Sequence, residues 1–164
     1  MRNLVVYYTR SGHTETVAQE IAKIVNGELR RIETANEIGF VSAIIASLLG
    51  IKSKIKPIDF NAGDYDNIFI GGPVWAGKSA TPLNTFLDNT NFKNKNVFVF
   101  ITQGDNKEPE DVYELIKKCI IINGGKTAGS FFVQTDMKKL PDSEMVKSKV
   151  MDWIGKNNLE RLIR

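Results

Sequence analysis

The chain alternates short apolar runs with amphipathic stretches along almost its whole length, and this alternation limits the possible folds more than any other feature. The apolar runs are rich in β-branched and aromatic residues, which is typical of strands buried on both faces. Five strands are predicted, at 3–8, 28–33, 67–71, 96–101 and 127–133. Helical spacing of apolar residues predicts helices at 13–25, 41–49, 82–88, 109–123 and from Asp142 or Ser143 onward.

Strands that alternate with helices through short connections predict one parallel sheet with helices on both faces, a three-layer doubly wound α/β fold. The chain has 164 residues, of which 42% are hydrophobic and 25% charged, which suits a single domain over 1–164. The segment 34–66 is the least regular part, and irregular chain is expected after its one helix. In such sheets ligands bind beyond the carboxyl ends of the strands, so the loops that follow the strands are the expected functional region.

Composition and charge exclude several classes of protein. Acidic and basic residues are interspersed and the formal net charge is +3, so no basic stripe for a nucleic acid is expected. The longest apolar run, 39–51, is too short to cross a bilayer, and the N-terminal sequence lacks a signal-peptide pattern. The one cysteine, Cys119, is interpreted as a packed thiol rather than a nucleophile. These features predict a cytoplasmic protein without membrane insertion.

The loop that leaves the first predicted strand has the composition of an anion-binding site. It reads YYTRSGHTET and runs directly into the first helix, where backbone N–H groups can donate to a phosphate. Gly12 at its centre allows close approach of the backbone or positive φ. Hydroxyl groups surround this glycine, at Thr9, Ser11, Thr14 and Thr16. An ordinary N-capped polar loop is the alternative interpretation.

The stretch GGPVWAGKS, residues 71–79, has the spacing of a nucleotide-binding P-loop but is interpreted otherwise. Pro73 lacks the N–H group that a phosphate cradle would use, and Pro82 disfavours a helix that begins at Ser79. No acidic residue ends the run NVFVFITQ, where a P-loop protein would hold magnesium. Trp75 indicates instead a loop that contacts a flat aromatic ligand, with simple packing as its alternative role.

The first loop resembles the phosphate signature of the flavodoxin family. The resemblance rests on the run Val5-Val6-Tyr7-Tyr8-Thr9-Arg10-Ser11-Gly12-His13-Thr14, followed by Ala18 and Ile21. It extends over nearly the whole chain in the order of the elements, and GGPVWAG resembles the second flavin-contacting loop of the family. The resemblance implies a five-stranded parallel sheet of order 2-1-3-4-5 and non-covalently bound FMN.

The resemblance implies a cofactor site built from three loops, without a catalytic side chain or a metal ligand. The first loop would hold the phosphate, the second would contact the isoalloxazine ring, and the third would bind its pyrimidine edge. The residues assigned to the site are Thr9, Arg10, Ser11, Gly12, His13 and Thr14, then Pro73, Val74, Trp75, Ala76 and Gly77, and finally Thr102, Gln103, Gly104 and Asp105. No chemistry is assigned to His13, and Arg10 departs mildly from a family that binds phosphate largely without a cation.

The resemblance implies a redox protein that transfers electrons through FMN to a partner protein, and two other classes stay open. An FMN-dependent NAD(P)H reductase of quinones or similar small-molecule acceptors is the main alternative, and a module without cofactor is the other. The net positive charge weakens the carrier interpretation, because short electron-carrying flavodoxins are usually acidic. The lack of an aromatic residue between Thr102 and Glu110 leaves the outer face of the ring open to a substrate. Ala76 occupies a turn position where glycine favours the one-electron reduced flavin, so weaker stabilisation of that form is expected.

Overall fold

The computed structural model describes residues 1–36 and 38–163, and a parallel sheet lies at its centre. The strands are β1 (Asn3–Tyr7), β2 (Glu28–Arg31), β3 (Asn67–Trp75), β4 (Lys78–Ser79), β5 (Asn96–Gln103) and β6 (Lys126–Gln134). Five of them run parallel in the order β2-β1-β3-β5-β6, and the short β4 pairs only with β3. With β4 set aside, this is the predicted order 2-1-3-4-5.

Five α-helices lie close to their predicted positions. They are α1 (His13–Val25), α2 (Phe40–Leu48), α3 (Thr81–Asn89), α4 (Glu110–Ile122) and α5 (Ser143–Lys156). The Asp142 carboxylate caps α5 by accepting a hydrogen bond from the Met145 N–H at 3.0 Å. Beyond α2, the described part of the segment 34–66 holds a bridge between Thr34 and Ile55 and one 3₁₀ turn, as the prediction of mostly irregular chain requires.

Helices cover both faces of the sheet, because successive side chains of a buried strand point to opposite sides. Val5 packs with α1 and α5 on one face, where Val17 and Val150 belong to the same apolar cluster. Its neighbour Val6 packs on the other face, in a cluster that includes Leu83 of α3 and residues of α2 and α4. The predicted three-layer architecture is therefore confirmed.

The two glycines that open GGPVWAGKS are required by packing. β3 continues through both of them to Trp75, beyond the end predicted at residue 71. A Cβ atom at Gly71 would lie 2.1 Å from Cε2 of Phe100 on β5, and one at Gly72 would lie 2.9 Å from Cδ2 of Leu83 on α3. Real side chains do not approach so closely, so the glycines allow β5 and α3 to pack against β3.

The chain turns back after β3 in a tight hairpin that the sequence interpretation did not include. β4 runs antiparallel to the end of β3 and places Lys78 opposite Trp75. The two connecting residues, Ala76 and Gly77, have φ values of +48° and +75°, as two-residue hairpin turns with a right-handed twist require. Ser79 therefore belongs to a strand, and α3 begins only after it. This excludes a P-loop, in agreement with the sequence analysis.

Candidate functional site

The first loop joins β1 to α1 and presents polar groups at the carboxyl edge of the sheet. Gly12 is left-handed, with a φ of +86°, immediately before the helix. The buried Oγ1 of Thr9 accepts a hydrogen bond from the Gly12 N–H at 3.0 Å, which closes the loop into a compact turn. The N–H groups of a first helical turn have no acceptor within the helix and lie at the positive end of its dipole. The loop therefore has the geometry of an anion-binding turn.

A buried pair of hydroxyl groups connects the first loop to the third. Thr14 in the first turn of α1 is 1% exposed, Thr102 near the end of β5 is 2% exposed, and their Oγ1 atoms are 2.7 Å apart. Each hydroxyl has one proton, so one group donates and the other accepts. The hydroxyl group that accepts can still donate its own proton to another partner. If Thr102 donates, Thr14 retains a proton that can be donated to a ligand in the first loop.

His13 connects the first loop to the segment between β6 and α5 through hydrogen bonds. Its Nδ1 is 2.8 Å from Oγ of Ser11, and its Nε2 is 2.8 Å from the backbone oxygen of Asp136. Because a carbonyl oxygen only accepts, Nε2 carries a proton in this contact. In the same segment, Cδ2 of Leu140 would lie 3.4 Å from a Cβ atom added to Gly12. His13 thus shapes the loop, and 123 residues separate it from Asp136, so no local sequence pattern signals the contact.

Trp75 lies at the predicted rim, at the end of β3, but the residue is only 8% exposed. Tyr8 packs edge-on against it with 5.9 Å between ring centroids, and Phe40 at the start of α2 does the same at 6.1 Å. The Trp75 ring therefore packs against two aromatic neighbours at the rim. Trp75 still borders the cleft described below. The contribution of Phe40 was not predicted, because it comes from the irregular segment 34–66.

Arg10 connects the first loop to the segment that leads into α2. Its Nη2 donates a hydrogen bond to the carbonyl oxygen of Ile38 at 2.7 Å. The guanidinium carbon also lies 5.8 Å from the centroid of the Phe40 ring, within the range of a cation–π contact. Contacts with Ile38 and Phe40 thus fix the position of the Arg10 guanidinium at the edge of the first loop.

The third loop, residues 102–109, is held together by its own side chains. Nε2 of the buried Gln103 donates to the carbonyl oxygen of Asp105 at 3.3 Å and to that of Lys107. The Asp105 carboxylate in turn accepts the Lys107 N–H at 3.1 Å. The Gln103 amide is therefore used inside the loop, whereas Gly104 and Asp105 are exposed at the rim.

A cleft of about 740 Å³ opens beside the first loop, over the carboxyl ends of β2, β1 and β3. Thr9, Trp75 and residues from the range 31–56 contribute to its lining. Its basic side chains are Arg10, Arg31, Lys52, Lys54 and Lys56. No residue of the third loop lines the cleft, so the cleft and the third loop lie toward opposite edges of the sheet.

Tyr7, the last residue of β1, has a phenol whose pKa is shifted. Burial, together with a hydrogen bond that Tyr7 donates to Glu15 at 2.8 Å, raises the pKa of the Tyr7 phenol well above its usual range.

Among residues 1–36 and 38–163, no three His, Cys, Asp or Glu side chains lie close enough to hold a metal ion. Within the same described ranges, no helix is long and apolar enough to cross a membrane.

Comparison with known families decides the classification of this chain. A family model described as Flavodoxin matches residues 2–157, which is nearly the whole chain. The chain belongs to the flavodoxin family. Its resemblance to that family, first seen in the loop 5–14, is thereby confirmed.

Solved structures of flavodoxin-like proteins share the fold. A candidate flavoprotein from Bacteroides uniformis is 20% identical, with a TM-score of 0.75 over 92% of this chain and 97% of that one. A flavoprotein from Lactobacillus acidophilus, solved in complex with FMN, is 24% identical, with a TM-score of 0.67 over 93% of this chain and 97% of that one. At these identities, the likeness establishes the fold alone.

A curated relative gives a further comparison. An NAD(P)H dehydrogenase (quinone) from Paracoccus denitrificans is 32% identical over 90 residues. The match covers 53% of this chain and 43% of that protein, so this flavodoxin-family chain matches less than half the length of that relative.

The structure brings some of the assigned flavodoxin-type site residues together and leaves others apart. Thr9 and Gly12 meet within the first loop, Thr14 reaches Thr102 of the third loop, and Trp75 meets the first loop through its neighbour Tyr8. Other assigned residues lie on the exposed hairpin turn and third loop, at Ala76, Gly77, Gly104 and Asp105. The contacts that sequence reasoning missed come from the start of α2 and from the β6–α5 segment, both distant along the chain.

Proposed function

We propose that this flavodoxin-family protein binds FMN non-covalently at the rim formed by its three loops and transfers electrons through it. The observation that carries the proposal is the 2.7 Å contact between Thr14 and Thr102, which joins the first and third loops beside the anion-binding turn. The FMN complex of the structurally similar protein from Lactobacillus acidophilus supports the choice of cofactor.

The donor set of the first loop fits a phosphate group. The loop 9–14 contains no carboxylate, and it carries three hydroxyl groups and one guanidinium. Gly12 adopts the left-handed conformation that exposes backbone N–H groups to an anion. A phosphate accepts but does not donate when fully ionised, so it selects the arrangement in which Thr102 donates to Thr14 and Thr14 donates to the phosphate. Thr102 would then be a positioning residue for Thr14.

The residues that would hold the flavin ring lie on the hairpin turn and the third loop. Ala76, Gly77, Gly104 and Asp105 are exposed and present backbone donors and acceptors at the rim. Bound FMN would supply reversible electron acceptance, which no protein side chain here provides. The chain would contribute binding, orientation and the local electrostatic potential.

A second candidate function is the reduction of quinones or similar acceptors with NAD(P)H as the electron donor. The curated relative from Paracoccus denitrificans carries that activity in its name, and the third loop has no aromatic side chain that would cover the outer face of a flavin. The basic cleft beside Trp75 has a charge that suits a donor with phosphate groups.

Titration with FMN and with riboflavin tests the proposal, because the two ligands differ only in the phosphate. Quenching of flavin fluorescence should show FMN binding at least tenfold tighter than riboflavin, since hydrogen bonds to a charged group contribute about 1.5–3 kcal/mol. Equal affinities, or no quenching by FMN, would contradict the phosphate site. Anaerobic mixing of the FMN complex with NADPH then separates the two functions: rapid bleaching of the flavin supports the reductase, and slow bleaching supports the carrier.

A further inference from the structure

Helix α2 buries three small side chains against the protein and leaves several of its large aliphatic side chains exposed. Ala43, Ala46 and Ser47 are buried, and Oγ of Ser47 donates to the carbonyl oxygen of Ser79 at 2.8 Å. Five aliphatic side chains in and just after α2 are between 50% and 69% exposed, and we refer to them as the α2 patch: Val41, Ile45, Leu48, Leu49 and Ile51. Val41, Ile45 and Leu48 have the spacing of one helical face, and an exposed aliphatic face of this kind marks an interaction site.

The α2 patch is bordered by positive charge. Residues 38–58 contain three lysines and neither Asp nor Glu: Lys52, Lys54 and Lys56. Lys52 pairs with Asp88 at 2.9 Å and Lys56 with Glu33 at 2.8 Å, and all four side chains are at least partly exposed to solvent. Lys54 forms no salt bridge within the described part of the chain. Because solvent-exposed ion pairs are weak, an anionic surface can compete for these lysines.

We propose that the α2 patch and its lysine border dock on an anionic lipid surface. An aliphatic face with a basic border is the composition of helices that lie in the bilayer interface, and anionic lipids attract the lysines. The patch lacks the Trp, Tyr and Arg side chains that dominate binding energy at protein interfaces. A second copy of the chain fits less well, because a two-fold interface would gather the border lysines of both copies around one apolar contact. With nine residues, α2 lies on the surface and does not cross it.

Docking in this way would bring the rim of the sheet close to the lipid. Phe40, the first residue of α2, contacts Trp75 at 6.1 Å between ring centroids. The rim that we assign to FMN would then face electron acceptors dissolved in the membrane. This consequence rests on the proposed function, whereas the docking itself does not.

Vesicle co-sedimentation of the full chain tests the docking without any flavin. The probes are vesicles of phosphatidylglycerol mixed with phosphatidylcholine, against vesicles of phosphatidylcholine alone. One double variant, Ile45→Ser with Leu48→Ser, removes part of the patch, and another, Lys52→Gln with Lys54→Gln, removes charge. The matched control on α4 is Lys118→Gln with Ile122→Ser, where Ile122 is 81% exposed.

The wild-type chain should bind the anionic vesicles, with the partition constant falling as salt rises. Loss of each lysine should lower it about fivefold at low salt, and each methylene withdrawn from the lipid about fourfold. The α4 control should bind like the wild type, and circular dichroism should show all variants folded. Absence of binding to anionic vesicles, or an equal loss in the α4 control, would overturn the proposal. Concentration-dependent dimerisation that the patch variant abolishes, without vesicle binding, would assign the patch to a second copy instead.

Discussion

The buried hydroxyl pair of Thr14 and Thr102 allows a contribution to folding to be separated from a contribution to binding. Thr14→Val keeps the shape of the side chain but leaves the Thr102 hydroxyl buried without its partner. Losing the bond and burying an unpaired hydroxyl should lower the free energy of unfolding by about 1–3 kcal/mol, and Thr102→Val should cost a similar amount. In the double variant no hydroxyl is left unpaired, so the expected loss is about 0–1 kcal/mol rather than the sum.

The same substitutions are expected to change FMN affinity in a different pattern from stability. If Thr14 donates to the phosphate, Thr14→Val should weaken FMN binding by roughly 10- to 150-fold, the equivalent of one charge-assisted hydrogen bond. Thr102→Val should weaken it less, because Thr102 only positions the other hydroxyl. The double variant should recover stability but bind FMN as weakly as Thr14→Val does.

Urea unfolding followed by tryptophan fluorescence gives the four free energies of unfolding in this cycle, and quenching of FMN fluorescence gives the dissociation constants. Thr90→Val is the matched control, because Thr90 is also buried and donates to the carbonyl oxygen of Phe86 at 2.7 Å, at the C-terminal end of α3. It should lose stability without a change in FMN affinity. The reasoning is refuted if the double variant is as unstable as the two single losses combined, or if Thr14→Val binds FMN like the wild type.

Three further outcomes follow from local geometry and charge. Ala76→Gly should raise the free energy of unfolding in urea by about 0.5–1 kcal/mol, because a φ of +48° is strained for alanine. A decrease in that free energy would contradict this reasoning. In the same variant, photoreduction should also yield more one-electron reduced flavin. Burial raises the pKa of Cys119, so iodoacetamide should alkylate it more slowly than a free cysteine until the chain unfolds. Hydrogen bonds from Arg2 and then Tyr65 hold the pKa of Glu28 below its usual range, so Glu28→Gln should destabilise at neutral pH, and the difference should vanish as pH falls through the depressed pKa.

The central strands could be predicted because their sequences are locally consistent with buried β-structure, but the end of β3 could not. Gly71, Gly72 and Pro73 are poor strand formers, so the periodic pattern stops at residue 71. The strand continues because these residues pair with β5, and glycine is required there because Phe100 of β5 and Leu83 of α3 occupy the space that side chains would fill. That requirement comes from packing between elements distant in the sequence, which a local pattern does not contain.

The candidate site shows the same division between local and distant information. Thr9, Gly12 and Thr14 lie within six residues of each other, and the loop they form follows from a short motif. The contacts of Arg10 with Ile38, and of His13 with the β6–α5 segment, join residues that are 28 and 123 positions apart. Only the completed sheet brings those segments to one edge, so the motif locates the loop but not its neighbours.

Helix α2 shows why an apolar composition alone does not determine which face of a helix is buried. Its sequence is apolar on nearly all sides, which would suit a fully buried helix. The same face of the sheet is also covered by α3 and α4, and α2 lies against α3 and β4 with Ala43, Ala46 and Ser47 buried and Ile44 partly buried. Side-chain size therefore decides the orientation of α2 and leaves Val41 and Leu48 outside. Exchanging the small and large residues would keep the composition of the helix but prevent this close packing, so the exposed patch is a consequence of the contact that holds α2 beside the rim.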